Sequence, residues 1–150
     1  MHQNLTDIKV VRTPLPDCIT MIELPLIDLA QESVLSLREE TQFASNGIVS
    51  RVLLNTPAAR VVLFGFAEGQ ELSEHTSTSH ALIQILSGRC EFSLAGVPRI
   101  LSVGELLYMP PNLPHAVKAI EQFSMLLTLI KPVENSPKLT TIKVPAAVAS

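Results

Sequence analysis

Short apolar segments separated by turn-forming residues recur along the chain from residue 46 to residue 131. Asn46-Gly47 opens this part, and Asn-Gly favours a tight turn because both residues tolerate positive φ. Turn signals then return about every eight to twelve residues, and no segment has room for a long helix, so the pattern predicts an all-β sandwich or barrel. The predicted strands are Ile48–Asn55, Arg60–Ala67, Ala81–Leu86, Arg89–Leu94, Pro98–Ser102, Glu105–Met109, Ala116–Ala119 and Phe123–Ile130.

The two ends of the chain give weaker patterns than its middle. Prolines interrupt Ile8–Val11 and Ile19–Leu29, which therefore predict edge strands or extended arms, since proline removes a ladder donor. Gln31–Glu40 fits either a short helix or a strand that ends in a turn. After residue 131 the sequence predicts an extended tail in which Leu139–Val144 adds one edge strand at most. We therefore divide the chain into an N-terminal arm packed on the barrel (1–45), a β-barrel (46–131) and a C-terminal tail (132–150).

Composition narrows the class of protein. The 150 residues are 47% hydrophobic and 17% charged with a net charge of −3, which suits one compact domain with a real core. The sequence has no long Lys/Arg cluster, so it does not predict a surface that binds nucleic acid or a membrane. No signal peptide is apparent, and the apolar runs are too short to span a bilayer, so we expect a cytoplasmic protein. Cys18 and Cys90 lack the spacing of a zinc or redox motif and are expected to be reduced, partly buried thiols.

Two groups of glycine and histidine residues carry the candidate chemistry. The first runs from Gly69 through His75 to Gly88. The second contains Gly104, Pro110 and His115 with Asn112 between the last two. This arrangement resembles the two motifs of the cupin superfamily, in which the first motif is Gly, five residues, His-x-His, three or four residues, Glu, six residues and Gly, and the second is Gly, five residues, Pro-x-Gly, two residues and His. Asn112 stands where glycine is usual, a mild change because asparagine tolerates the left-handed region.

The resemblance implies a cupin-type jelly roll, or double-stranded β-helix barrel, over about residues 47–131. It also implies a pocket inside the barrel, where the two histidines and the glutamate of the first motif and the histidine of the second hold one metal ion. Imidazole and carboxylate ligands suit Fe, Mn, Ni, Cu or Zn, so one divalent transition metal is the cofactor to consider. His75 and His115 occupy two of the four positions, whereas Ser77 and Ala81 replace the other two.

The orientation of His80 decides whether a third imidazole joins His75 and His115. In a strand, His80 faces away from the pocket if Ala81 faces into it, but a one-residue bulge would turn it inward. Two hypotheses therefore remain open for the site. In the first, the metal site is degenerate and the histidines are polar residues of a small-molecule pocket. In the second, His75, His115 and His80 hold a metal ion.

The same alternation predicts which side chains line the pocket. If Ala81 and His115 face inward, the lining also contains Ile83, Ile85, Leu107, Met109, Val117 and Ala119, with Ser77 at the mouth, although these residues could instead fill a small core. The function is predicted to be binding of a small organic molecule, with a mononuclear metal-dependent oxygenase or isomerase as the alternative. Whether the chain is an enzyme stays open.

The outward positions of the same strands are also apolar, and they are Leu82, Leu86, Leu106 and Tyr108. An apolar outer surface needs a cover, which the terminal arms or a second copy of the chain could supply. Because two-fold pairing closes such a patch, we expect a homodimer, and the cupin resemblance points the same way.

Overall fold

The structure is a computed structural model that describes residues 9–12, 19–22 and 24–133. Within these residues the elements follow one another in this order: β1 (Lys9–Arg12), β2 (Ile19–Ile22), α1 (Leu37–Glu40), β3 (Ile48–Asn55), β4 (Ala59–Phe66), β5 (Glu71–His75), β6 (His80–Ser87), β7 (Arg89–Leu94), β8 (Val97–Ser102), β9 (Leu106–Met109), β10 (His115–Ala119) and β11 (Phe123–Ile130).

Two antiparallel sheets form the body of the molecule. One has the strand order β3-β4-β11-β6-β9 and the other the order β5-β10-β7-β8, while β1 and β2 pair with each other in a separate ribbon. Apolar side chains from both sheets form one core, in which Phe66, Phe92 and Phe123 are fully buried. The rings of Phe66 and Phe123 stack at 4.5 Å between centroids. The predicted all-β jelly-roll class is confirmed.

The strands predicted from alternation reappear with small shifts at their ends, and β3, β7 and β11 have the predicted bounds. Strand β5 was not predicted, because Leu72 is its one apolar residue. In Gln31–Glu40 the helical alternative is the observed one, since α1 is a single turn capped by Ser36, whose hydroxyl accepts from the Glu39 N–H at 3.4 Å. The predicted strand Leu139–Val144, with the rest of residues 134–150, lies outside the described residues.

Residues 24–45 run along the edge strand β3 and over the outer face of the five-stranded sheet at β4. The N–H groups of Leu26 and Ile27 donate to carbonyls of β3 at 3.1 and 2.9 Å. Glu40 forms an ion pair with Arg51 of β3. Gly65 of β4 permits the closest approach, because a Cβ there would collide with the carbonyl oxygen of Gln42. No helix among the described residues is long and apolar enough to cross a membrane.

Cys90 is a free thiol in the core, fully buried rather than partly buried as expected. Burial raises the pKa of this thiol from 9.0 to about 12, and the charge of Glu105 adds to the shift. The thiolate, which is the reactive form, is therefore strongly disfavoured in the folded protein. Cys18 lies outside the described residues.

Candidate functional site

His75 and His115 face each other across two neighbouring strands. His75 ends β5 and His115 begins β10, and the two residues are direct partners in the antiparallel register. Their ring centroids are 4.2 Å apart with an interplanar angle of 59°. His115 is buried because β10 also pairs with β7 on its other side, whereas His75 on the edge strand is exposed. The histidine pair therefore has one buried ring and one ring that is exposed to solvent.

Each of these two rings is held by its own backbone. The Nδ1 atom of His75 lies 2.7 Å from the carbonyl oxygen of Ser73, and that of His115 lies 2.8 Å from the carbonyl oxygen of Leu113. A carbonyl oxygen only accepts, so Nδ1 carries the proton in both rings. In the neutral form of either ring, this tautomer leaves the lone pair on Nε2, where the ring can accept a hydrogen bond or ligate a metal ion.

The loops beside the two histidines are tied together by backbone hydrogen bonds. Asn112 adopts the left-handed conformation with φ of 66°, the region in which asparagine substitutes for glycine at least cost. Its N–H donates to the carbonyl oxygen of Ser77 at 2.7 Å. The N–H of Ala95 donates to the carbonyl oxygen of Pro114 at 2.8 Å. These two bonds tie the loop that leads into His115 to the β5–β6 loop and to the β7–β8 turn.

His80 lies on the other face of its strand and contacts a different partner. Ala81 is buried in the core, so the alternation of β6 places His80 on the outer face. There His80 Nδ1 lies 2.9 Å from the hydroxyl of Tyr108, and the two rings stack at 6.1 Å with an interplanar angle of 17°. The structure therefore brings His75 and His115 together and places His80 with Tyr108.

The histidine pair supplies two of the four ligands in the arrangement that the resemblance implies. Within the residues that the structure describes, no group of three or more His, Cys, Asp or Glu side chains could hold a metal ion. Ser77 and Ala81 supply neither imidazole nor carboxylate at the two remaining positions. Since catalytic metal sites generally use at least three protein ligands, this donor set does not fit a resident metal ion.

The side chains predicted to line a pocket lie mainly in the packed core. Six of them are buried in the common apolar cluster, and they are Ala81, Ile83, Ile85, Met109, Val117 and Ala119. Leu107 packs against this cluster and is partly buried, while Ser77 lies in the loop between β5 and β6. A shallow cavity of about 220 Å³ runs along β5, β7 and β10, and Val117 is the one predicted residue that borders it.

A larger cavity of about 590 Å³ lies outside the barrel, between the α1 segment and the ends of β6 and β11. The sequence reasoning did not find it, because its walls come from residues far apart in the chain. The signal that could have found it is the set of small residues Gly65, Ser87 and Ser124 inside otherwise apolar strands. Their alignment becomes apparent only once the strand register is known.

The comparisons with known proteins agree with this architecture. The family model described as the cupin domain matches residues 62–130. A conserved protein of unknown function from Streptococcus pyogenes is 32% identical, with a TM-score of 0.65 over 75% of this chain and 97% of that one. A cupin superfamily protein from Desulfitobacterium hafniense is 26% identical, with a TM-score of 0.65 over 73% of this chain and 100% of that one.

A third solved structure, a cupin 2 conserved barrel domain protein from Leptotrichia buccalis, is 34% identical with a TM-score of 0.62. The similarity covers 65% of this chain and 47% of that longer one. None of the curated proteins matches the chain. The two antiparallel sheets around one core, with a histidine pair at one end, define a small β-barrel of the jelly-roll class. The chain belongs to the cupin superfamily.

Proposed function

We propose that this cupin binds a small organic molecule through His75 and His115 and has no resident metal ion. The observation that supports the proposal is the paired geometry of the two rings, each held through Nδ1 by a backbone carbonyl. Both Nε2 atoms are then acceptors in the neutral rings. A ligand with two neighbouring hydroxyl or N–H donors satisfies both at once.

The unequal burial of the two histidines supports binding from the solvent side. His75 is exposed and can meet a ligand first, while His115 is only 8% exposed. A hydrogen bond to His115 is better shielded from water and contributes more to affinity than one to a fully solvated group. The fixed ring orientation also lowers the entropic cost of binding, because neither imidazole must be ordered by the ligand.

The alternative is a mononuclear metal-dependent enzyme of the oxygenase or isomerase type. Its support is that a histidine with Nδ1–H on a carbonyl presents Nε2, as metal-ligating histidines commonly do. Such a site would need at least one ligand beyond the two histidines, and His80 is engaged with Tyr108. The degenerate site is therefore the better supported of the two functions.

Metal content separates the two functions. The protein is purified without chelator or nickel resin, then soaked with Fe, Mn, Ni and Zn in turn, desalted and analysed by mass spectrometry. We expect substoichiometric metal in the wild type and in the His75→Gln and His115→Gln variants alike. Stoichiometric metal that is lost in both variants would overturn the metal-free proposal and establish the alternative. His80→Gln is the matched control, since it removes an imidazole on the other face.

Ligand binding is tested by NMR on metal-free protein with a panel of small phenols and diols that begins with catechol. The probe is the Cε1–Hε1 signal of each histidine. We expect the signals of His75 and His115 to shift together on addition of the best ligand, and that of His80 to stay in place. The proposal fails if no member of the panel moves the signals of the pair.

A further inference from the structure

The cavity of about 590 Å³ on the outer face of the five-stranded sheet is separate from the histidine pair. The α1 segment forms one wall and the ends of β6 and β11 form the other. Its volume lies within the range of small-molecule sites, roughly 300–1,000 Å³. The lining that matters chemically consists of Leu37, Arg38, Phe43, Leu86, Ser87 and Ser124.

The hollow arises from three small residues in one row across the sheet. In the register, Gly65 of β4 is opposite Ser124 of β11, and Ser124 is opposite Ser87 of β6. None of these three residues has a large side chain that could fill the outer face. Gly65 also lets the chain at Gln42 press onto the sheet, where a Cβ would lie 3.0 Å from the ring of Phe43. The sheet therefore holds Phe43 as a wall and leaves the two serines as a floor.

The floor supplies a hydrogen-bond donor. The hydroxyls of Ser87 and Ser124 are 2.6 Å apart, and Ser124 is buried. In such a pair one hydroxyl donates to the other, so the second keeps a proton that can be donated elsewhere. This hydroxyl can therefore donate a hydrogen bond to an oxygen atom of a ligand in the cavity.

The rim supplies a positive charge that no described carboxylate neutralises. Glu40, beside Arg38 in the same helical turn, pairs with Arg51. Glu121, next to the cavity residue Gln122, pairs with Arg89 at 3.1 Å. Arg38 itself has no ion-pair partner among residues 24–133. Because a guanidinium binds carboxylates with directed hydrogen bonds, the rim is complementary to an organic anion.

We propose that this cavity binds a small carboxylic acid with an apolar body and a second oxygen. The carboxylate lies at the Arg38 rim, the apolar body lies between Phe43 and Leu86, and the second oxygen accepts from the serine floor. The walls of the cavity thus match a flat or short-chain acid in charge, polarity and size. This site is independent of the function proposed for His75 and His115.

The experiment uses 4-hydroxybenzoate as the probe acid and 4-hydroxybenzamide as its uncharged counterpart. Affinity is measured by calorimetry, and the site is located through the methyl NMR signals of Leu37 and Leu86. We expect 4-hydroxybenzoate to shift these methyl signals and to bind at least tenfold more tightly than the amide. Arg38→Gln is expected to weaken the acid at least tenfold and to leave the amide unchanged, because it removes the charge-assisted hydrogen bond.

Two further variants make the result specific. Arg99→Gln, which removes an exposed arginine from β8 of the other sheet, is the matched control and is expected to bind the acid like the wild type. His75→Gln is also expected to bind it unchanged, which separates this site from the histidine pair. The proposal is overturned if the acid does not bind at millimolar concentration, if Arg38→Gln binds it as well as the wild type, or if His75→Gln abolishes binding.

Discussion

Gly88 connects β6 to β7 at a point where the backbone of β11 passes very close. Its φ is 69°, and a Cβ would collide with the carbonyl oxygen of Gln122 and lie 2.8 Å from the Cα of Phe123. Gly104 has a similar φ of 87° but open space around it. The two positions therefore separate the cost of the left-handed conformation from the cost of a steric clash.

We predict that Gly88→Ala destabilises the protein more than Gly104→Ala. Both variants lose about 1–2 kcal/mol of the free energy of unfolding, because an L-residue is strained at positive φ. Gly88→Ala loses roughly 1–3 kcal/mol more, because backbone atoms must move to admit the methyl group. Urea unfolding of both variants measures the two losses in the free energy of unfolding. Equal losses would contradict the close approach at Gly88.

The buried thiol of Cys90 makes a second residue-scale prediction, which concerns pH. Its pKa is raised from 9.0 to about 12, so the unfolded chain releases this proton at a lower pH than the folded protein does. Stability linked to the neutral thiol is therefore intact below about pH 9 and is lost as the pH rises towards 12. The deprotonation of other groups in this range is common to all variants and cancels in a comparison.

In a Cys18→Ser background, we expect Cys90→Ala to be less stable than its parent at pH 7, because it leaves a cavity. That deficit is expected to shrink between pH 9 and pH 11, since the alanine variant has no thiol to deprotonate. Urea unfolding at each pH gives the difference. A deficit that stays constant or grows with pH would show that the thiol is not held neutral by the core.

At the scale of single elements, the segment of residues 24–45 depends on one glycine of β4. Gly65 has no Cβ to collide with the carbonyl oxygen of Gln42, and Glu40 pairs with Arg51 nearby. Gly47 lies in the turn before β3, where a Cβ would meet the Cβ of Ala44 at an ordinary 3.7 Å. Neither glycine has a positive φ, so the pair differs mainly in how closely the segment packs.

We predict that Gly65→Ala loosens this segment from the sheet and that Gly47→Ala does not. Trypsin cleavage after Arg38 is the readout, since this exposed residue lies in α1 of the segment. We expect cleavage of Gly65→Ala to be at least several-fold faster than that of the wild type while the barrel stays folded by circular dichroism. Equal cleavage rates for the two variants would contradict the role of Gly65 in holding the segment on the sheet.

The elements differ in how far the sequence alone determines them. Strands such as β3 and β11 have continuous or alternating apolar residues that face a core, so their bounds follow from local pattern. Strand β5 has one apolar residue, Leu72, and exists because β10 provides its hydrogen-bond partners. Helix α1 is a single turn with no buried residue, so the local pattern of Gln31–Glu40 fits a helix and a strand equally well.

The candidate site also combines features that the sequence predicts with features that depend on tertiary structure. The motif spacing brought His75 and His115 forward as candidates, whereas the orientation of His80 stayed open between alternation, which places it opposite Ala81, and a bulge, which would turn it inward. The hydrogen bonds that fix both Nδ1 atoms depend on carbonyls two residues earlier, in backbone conformations that no local pattern specifies. The contact of His80 with Tyr108 depends on the register of β6 with β9, which is a tertiary property.

At the scale of the whole molecule, the residues that the structure describes cover the outer face of the five-stranded sheet on one side only. Residues 24–45 cover the side formed by β3 and β4. On the other side, Leu106 of the edge strand is 60% exposed and Tyr108 is 53% exposed, beside the half-buried Leu82. The outward residues of β6 and β9 include no Lys, Arg, Asp or Glu.

An uncharged apolar patch on an edge strand suits contact with a second copy of the chain. A two-fold axis brings each side chain near its own counterpart, where like charges would repel.

We therefore expect a homodimer formed through β6 and β9. Leu106→Glu is expected to raise the dissociation constant of this dimer at least tenfold, because it buries a charge in the interface. Ile100→Glu is the matched control, since Ile100 is 51% exposed on β8 of the other sheet and is expected to leave the dimer intact. Sedimentation velocity from 1 to 100 µM measures both variants. A wild-type protein that stays monomeric across this range would contradict this interface. A dimer that Ile100→Glu disrupts and Leu106→Glu does not would also contradict it, and would place the contact at β8.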